Sequence, residues 1–220
     1  MLRGAIFDMD GTLVDSMPLW ESLAEIYLNT KGLTPEPGLI DKLWTKSLRE
    51  SAEYFQAHYG ITDDVETIMD DAVKAVEEIY KTSVPLKPGV REFLDQMALR
   101  SIPMVICSTG YPALIEPTLE RLDIKKYFAE VFTCVELDTT KREPLIYYAA
   151  AGFFGLYENE VAVFEDVLHA ATTAKNAGFL TIGVEDAASE RDKAEIMALS
   201  DYYVTDWSDL EGFWTWANTL

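Results

Sequence analysis

Six short apolar runs constrain the architecture of this chain more than any other feature: Ala5–Phe7, Ile102–Cys107, Val131–Thr133, Val161–Phe164, Phe179–Val184 and Tyr202–Val204. Each has strand rather than helix length and reads as a buried strand. From Pro85 onward the runs alternate with helical stretches. One opens at Pro88-Gly89 and runs through Phe93, Leu94 and Met97; others are Leu114–Leu122, Leu145–Gly152 and His169–Ala177, the last ended by Gly178. A Trp-rich helix closes the chain. Strands alternating with helices imply right-handed βαβ units, and so an α/β fold with a parallel sheet covered on both faces. Trp207, Phe213, Trp214 and Trp216 are expected to pack on that sheet rather than on a ligand.

Between the first two strands the grammar is helical throughout. Leu19, Leu23, Ile26 and Tyr27 form one apolar stripe; Leu39, Leu43, Leu48, Tyr54 and Phe55 supply others; Ile68 to Tyr80 reads as a long amphipathic helix. Breaks fall at 31–38 and 60–64, and Thr62 or Asp63 is placed to cap the helix that follows. The expected organisation is a core of residues 1–15 and 86–220 interrupted by an all-helical insert at 16–85.

Where the first strand ends stands Phe7-Asp8-Met9-Asp10-Gly11-Thr12-Leu13-Val14-Asp15-Ser16. Side chains two apart on an extended segment point the same way. Two carboxylates aimed at one place repel unless a cation lies between them or one holds a proton. Both conditions suit phosphoryl transfer, in which one Asp attacks phosphorus, the other serves as general acid and then base, and a hard cation such as Mg²⁺ neutralises developing charge. Ligands of open parallel sheets lie beyond the carboxyl ends of the strands, so later strand ends should contribute. Ser108-Thr109-Gly110 offers hydroxyls and free backbone N–H groups suited to a phosphate oxygen. Glu165-Asp166 follows a buried strand, as Asp8 does.

The string Asp-x-Asp-Gly-Thr-Leu-Val-Asp-Ser after an N-terminal strand resembles the haloacid dehalogenase superfamily of phosphatases and phosphomutases, and further matches follow in order. Ser108 takes the position of the phosphate-binding hydroxyl of the second motif. Thr140-Lys141-Arg142-Glu143-Pro144-Leu145-Ile146-Tyr147 resembles the third, Gly-Lys-Pro-x-Pro-Asp-x-Tyr/Phe, and makes Lys141 the lysine that pairs with nucleophile and phosphoryl; Thr140, Arg142 and Leu145 depart from the pattern. Glu165-Asp166-Val167-Leu168-His169-Ala170 resembles the acidic fourth motif, with Val167 and Ala170 in place of Ser and Gly. The resemblance implies a Rossmann-like core with an α-helical cap, of the phosphoglycolate phosphatase and β-phosphoglucomutase-like kind. It implies Asp8 as nucleophile, Asp10 as general acid–base, and Ser108 and Lys141 as catalytic partners. Asp8, Asp10, Glu165 and Asp166 would surround Mg²⁺, and Ser108 and Thr109 would contact substrate.

The activity implied is Mg²⁺-dependent hydrolysis of a small phosphate monoester through an aspartyl-phosphate. Asp10 excludes the dehalogenase branch, which protonates no leaving group. A phosphomutase is the alternative; such enzymes carry a His where Trp20 stands, and a cap segment matched only in part by Trp44-Thr45-Lys46-Ser47-Leu48-Arg49-Glu50. A weakly catalytic, metabolite-binding protein of the superfamily is the third reading. In the acidic insert, Lys46 and Arg49 are three apart and would share a helical face, where they are expected to contact the distal end of the substrate. His169 lies near the mouth, with the helix surface as its expected place, and His58 is expected on a helix surface.

Composition narrows the partners. A net charge of −20 argues against nucleic acid and anionic membrane surfaces. No run is long enough to span a membrane, and no basic stretch followed by an apolar one marks a signal peptide. Cys107 and Cys134 form no ligand cluster and are expected as small buried hydrophobes, consistent with a reducing cytoplasm. The expected partner is a small phosphorylated metabolite, and the expected state a monomer or weak dimer.

Overall fold

The central strands of the sheet are segments with no polar face to offer water. In the computed structural model, which describes residues 2–43 and 46–220, strands β1 (Gly4–Phe7), β2 (Met104–Ser108) and β4 (Val161–Glu165) are buried along their whole length. With β3 (Phe128–Thr133), β5 (Leu180–Val184) and β6 (Tyr202–Val204) they form one parallel sheet in the order β3-β2-β1-β4-β5-β6. Strand order reverses at β1, which pairs with β2 on one side and β4 on the other. This topological switch point is where open α/β sheets bind ligands.

Alternation along the strands assigns the two faces. Ile6, Val105, Cys107, Val161 and Val163 point to one face and pack with Ile146, Tyr147 and Ala150 of α8 (Leu145–Phe154). Phe7 and its register partner Phe164 point to the other, stacked 4.4 Å apart. There Phe93 of α6 (Val90–Leu99), Trp207, and Phe213 of α11 (Leu210–Ala217) close on them, with Phe93 to Trp207 and Phe93 to Phe213 both 4.8 Å apart. Trp207 and Phe213 are thus core residues, and Trp214 carries Arg100 over its ring at 3.9 Å. Pairs of this kind contribute about 0.5–1.5 kcal/mol each beyond the area they bury. Helices α7 (Pro112–Arg121) and α9 (Leu168–Asn176) fall where periodicity predicts. The sequence reading misses α10 (Lys193–Leu199), whose one buried residue, Ile196, leaves too little apolar periodicity to see. Both cysteines are free and buried.

Contacts divide the chain into two units, one comprising residues to Asp15 together with Val84–Leu220, the other Ser16–Ser83. The second unit is helical: α1 (Met17–Glu21), α2 (Leu23–Thr30), α3 (Leu39–Leu43), α4 (Leu48–Tyr59) and α5 (Val65–Ser83). Its core gathers Tyr27, Leu28, Leu39, Phe55 and Ile68. Two local expectations are corrected here. Asp64, not Thr62 or Asp63, caps α5, accepting from the Thr67 N–H at 2.8 Å. Lys46 and Arg49 do not share a helical face: Ser47 and Glu50 form a reciprocal capping box that starts α4 at Leu48, leaving Lys46 before the cap. Trp44 and Thr45, in the segment compared with phosphomutase caps, lie outside the described residues. Among the described residues no helix is long and apolar enough to cross a membrane.

Candidate active site

The loop that follows β1 is pinned by its own backbone. The Asp8 N–H donates to the Phe164 carbonyl at 3.0 Å, carrying the strand pairing one residue past β1. The chain then folds tightly: Leu13 and Val14 N–H both donate to the Met9 carbonyl, and Gly11 takes φ 81°, a conformation that favours glycine. Hydrogen bonds from Asp15 N–H to Pro85 O and from Lys87 N–H to Leu13 O tie the far side of the loop to the returning chain. Asp8 is buried by this arrangement.

Asp8 lies in a buried charged cluster. Its carboxylate, that of Glu165 and that of Asp166 offer oxygens within 4.8 Å of one another. Lys141, 3% exposed, donates to Asp8 and to Glu165, the latter at 2.6 Å. Tyr147 donates to the same Glu165 oxygen at 2.8 Å, and the Thr12 hydroxyl donates to Asp166 Oδ1 at 2.9 Å. Asp166 Oδ2 is buried with no partner. Burial raises the Asp8 pKa well above the usual carboxylate range; Lys141 opposes the rise, and Glu165, Asp166 and Asp10 reinforce it. Burial and the neighbouring Glu165 push Asp166 up to about 7, with the Thr12 hydrogen bond working the other way. For Lys141 burial disfavours the ammonium, but Asp8 and Glu165 outweigh it and hold the group charged. Two of the three carboxylates thus share one lysine, and Asp166 has the Thr12 hydroxyl instead. An orphaned buried oxygen among all-oxygen donors is the arrangement a hard divalent cation fits.

Asp10 stands apart from this cluster. The sequence reading expects Asp8 and Asp10 to point the same way on one extended segment, but β1 ends at Phe7. The turn directs the half-buried Asp10 carboxylate toward the second strand end, with Oδ2 3.5 Å from where a Cβ on Gly110 would stand. Ser108, buried at the end of β2, accepts from the Gly110 N–H at 2.9 Å, and Thr109 is exposed beside it. His169 is half-buried on the first turn of α9, and His58 is exposed on α4, stacked on Tyr54. In the helical unit Lys46 is exposed, and Arg49 pairs with Glu66 at 2.7 Å, both largely solvated.

Sequence reasoning assigns no role to four residues. Tyr147 sits in the quoted motif, six residues after Lys141, and its hydroxyl is the signal passed over. Thr12 sits inside the Asp8–Ser16 string. The Lys87–Asp186 pair, 2.7 Å apart and mostly buried, joins the start of α6 to the end of β5 and acts electrostatically on Asp166. Nothing in the spacing of Lys87 and Asp186 announces it.

These side chains gather at the switch point of a parallel sheet, where such folds bind ligands, and comparison with known proteins gives the family. The model of the haloacid dehalogenase-like hydrolases matches residues 2–178. The chain belongs to that family. A phosphorylated carbohydrates phosphatase of Thermotoga maritima is 25% identical over 177 residues, 80% of this chain and 82% of that one. A phosphoglycolate phosphatase of Photorhabdus laumondii subsp. laumondii is 27% identical over 215 residues, 95% and 91%. Among solved structures, CbbY of Rhodobacter sphaeroides in complex with phosphate superposes with a TM-score of 0.81 at 17% identity, covering 96% of each chain, which is a likeness of fold.

Proposed function

We propose that this phosphoric monoester hydrolase is an Mg²⁺-dependent phosphatase of small phosphorylated metabolites, acting through an aspartyl-phosphate. The observation that carries the reading is the cluster of Asp8, Glu165 and Asp166 around Lys141, with Asp166 Oδ2 left unpartnered. The relatives named for phosphorylated carbohydrates and for phosphoglycolate set the range of substrates to try first.

In this mechanism an Asp8 oxygen attacks phosphorus and the ester P–O bond breaks. Asp10 gives a proton to the departing oxygen, then takes one from the water that hydrolyses the acyl phosphate. Lys141, bonded to Asp8, fixes its carboxylate and meets the charge of the phosphoryl group. The Ser108 hydroxyl and the N–H groups of its loop hold phosphoryl oxygens. Asp8 and Asp166, with Glu165 beside them, would hold Mg²⁺, which supplies positive charge against the carboxylates and the phosphoryl group. The helical unit enters the chain directly after the nucleophile loop, and we read it as a cap that recognises the rest of the substrate.

The test is turnover of a panel of phosphate esters with Mg²⁺, glucose 1-phosphates included, by wild type and Asp8→Asn. Release of phosphate by wild type and background turnover by a folded Asp8→Asn are expected. Wild-type rates in that variant overturn the mechanism, and isomerisation of a glucose phosphate without net hydrolysis marks a mutase instead.

A further inference from the structure

Helix α8 is apolar all round: no charged residue stands between Pro144 and Tyr157, in a chain of net charge −20. A helix that lays one side on a core ordinarily carries polar residues on the other. Ile146, Tyr147, Ala150 and Ala151 form the inner side and are buried in the core cluster. Leu145, Tyr148, Ala149, Gly152 and Phe153, spaced three and four apart, form the outer side. There Leu145, Tyr148 and Phe153 are 48%, 42% and 52% exposed, and Tyr157, just past the helix, is 76% exposed. Among the described residues no other helix or strand carries as many exposed large apolar side chains.

Gly152 is a second, independent observation. Glycine inside a helix is costly relative to alanine. Nothing within the chain offsets that cost: its φ is not positive, and a Cβ on it would meet nothing within 4 Å. A bare stretch of backbone beside Tyr148 and Phe153 leaves room for another chain to approach closely. A bilayer surface is a poor match, since the face has no basic rim and the chain is strongly acidic. A charged protein finds nothing on the face to pair with. A second copy fits, because the pattern is self-complementary. Turned antiparallel about a two-fold axis at Ala149 and Ala150, Leu145 of one helix meets Phe153 of the other, Tyr148 lies over Gly152, and Ala149 sits beside its own copy. The same turn brings Arg142, before the start of one helix, to the end where the other carries Tyr157 and Glu158, and it opposes the two helix dipoles. With aromatic side chains of about 200 Å² each, these exposures amount to roughly 500 Å² per copy and roughly 1,000 Å² for the pair, the lower bound of a specific interface.

We propose that the outer face of α8 is a self-association surface, covered by the α8 of a second copy of this chain in an antiparallel, two-fold pair. At the lower bound of area the pair is reversible and dissociates in the micromolar range. The contact itself is nearly free of charge while each copy carries −20, so screening by salt should tighten it. The inference does not depend on the phosphatase reading.

Sedimentation equilibrium on the full chain tests it. Wild type should pass from monomer to dimer as concentration rises through the micromolar range, and should do so at lower concentration in about 0.5 M than in about 0.05 M NaCl. Phe153→Glu, at an exposed position, should raise the dissociation constant about tenfold or more, because it places a charge in an apolar contact. Gly152→Gln puts a good helix former where nothing in the chain is displaced, so it should leave Tm unlowered while weakening the dimer. Ala149→Cys should cross-link to itself on mild oxidation about ten times faster than Leu99→Cys, a 76% exposed position on α6, on the opposite side of the sheet. Cys107 and Cys134 are buried and do not compete. Three results overturn the proposal. One is a chain that stays monomeric through that range, which leaves the face to a different partner. Another is a dimer that Phe153→Glu and Gly152→Gln both leave unchanged, and the third is cross-linking of Ala149→Cys no faster than that of Leu99→Cys.

Discussion

Lys141→Met removes the one cation bonded to both Asp8 and Glu165 and keeps most of the volume. The side chains of Asp8 and Glu165 are 8% and 1% exposed, so neither recovers solvation when the ammonium goes. Breaking a buried ion pair by removing one partner costs about 3–5 kcal/mol. In a chain of this size 1 kcal/mol moves the midpoint by about 2–4 °C, so Tm should fall by roughly 6–20 °C at pH 8. The pH dependence has a definite sign. A carboxyl whose folded pKa is raised binds a proton in the folded state that the unfolded chain releases, so stability falls as pH rises from the unfolded value toward the folded one. The Asp8 pKa is already raised, and loss of Lys141, which opposes that rise, moves it further. The deficit of the variant should therefore be larger at pH 8 than at pH 5. Thermal unfolding followed by circular dichroism, in excess EDTA so that no added cation substitutes for the ammonium, measures both. A variant within 2 °C of wild type at pH 8, or a deficit that grows on acidification, refutes the account of the cluster.

Other outcomes follow from the same site. Burial and Glu165 hold the Asp166 pKa up to about 7, and a carboxylate ligand must lose its proton to bind metal, so Mg²⁺ affinity measured by calorimetry should be about tenfold or more weaker at pH 6 than at pH 8; equal affinities sink the assignment of Asp166. Asp10→Asn should slow alkyl phosphates by about 10²–10⁴-fold and aryl phosphates far less, because only the former need a proton on the leaving group. An equal loss on both classes makes Asp10 structural. If Lys46 and Arg49 read the distal end of the substrate, alanine at either should raise KM for the natural ester by about tenfold, equivalent to about 1.4 kcal/mol, without changing that for an aryl phosphate. Unfolding midpoints should hardly move for Arg49→Ala, since its pair with Glu66 is solvated and screened.

The sheet was legible because its central strands are buried on both faces, so that Ala5–Phe7 and Val161–Phe164 are apolar without interruption and cannot be mistaken for surface. The meeting of Asp8, Glu165 and Asp166 was legible for a related reason: each stands at or just after a strand end, and parallel strands deliver those ends to one edge, whereas Lys141 lies in the long loop between β3 and α8 and was placed by the motif around it. What escaped was local. The premise for Asp10 extended strand geometry across a turn that Gly11 makes at positive φ. The premise for Lys46 extended helix geometry across a cap that Ser47 and Glu50 make from two ordinary residues. Both errors came from carrying a regular period one step past its end, where side-chain direction is set by a few hydrogen bonds rather than by repetition. Thr12 and Tyr147 escaped differently, since hydroxyls are common and only the fold shows that these two reach Asp166 and Glu165.

Charge then orders events at the site. Three carboxylates and one ammonium sum to −2 if all are ionised, and the raised pKa values of Asp8 and Asp166 show the site resisting that state. A phosphate monoester adds up to two further negative charges. At about 4 Å, and at the effective permittivity suited to protein sites, each like-charge pair costs about 4 kcal/mol, more than one lysine already engaged with two carboxylates can offset. Protonating the carboxylates would admit the ester but leave Asp8 unable to attack. On the reading proposed above, a divalent cation would both admit the ester and leave Asp8 ionised. On that reading, the acidic cluster would accept an anionic ester best with the cation in place before the ester arrives.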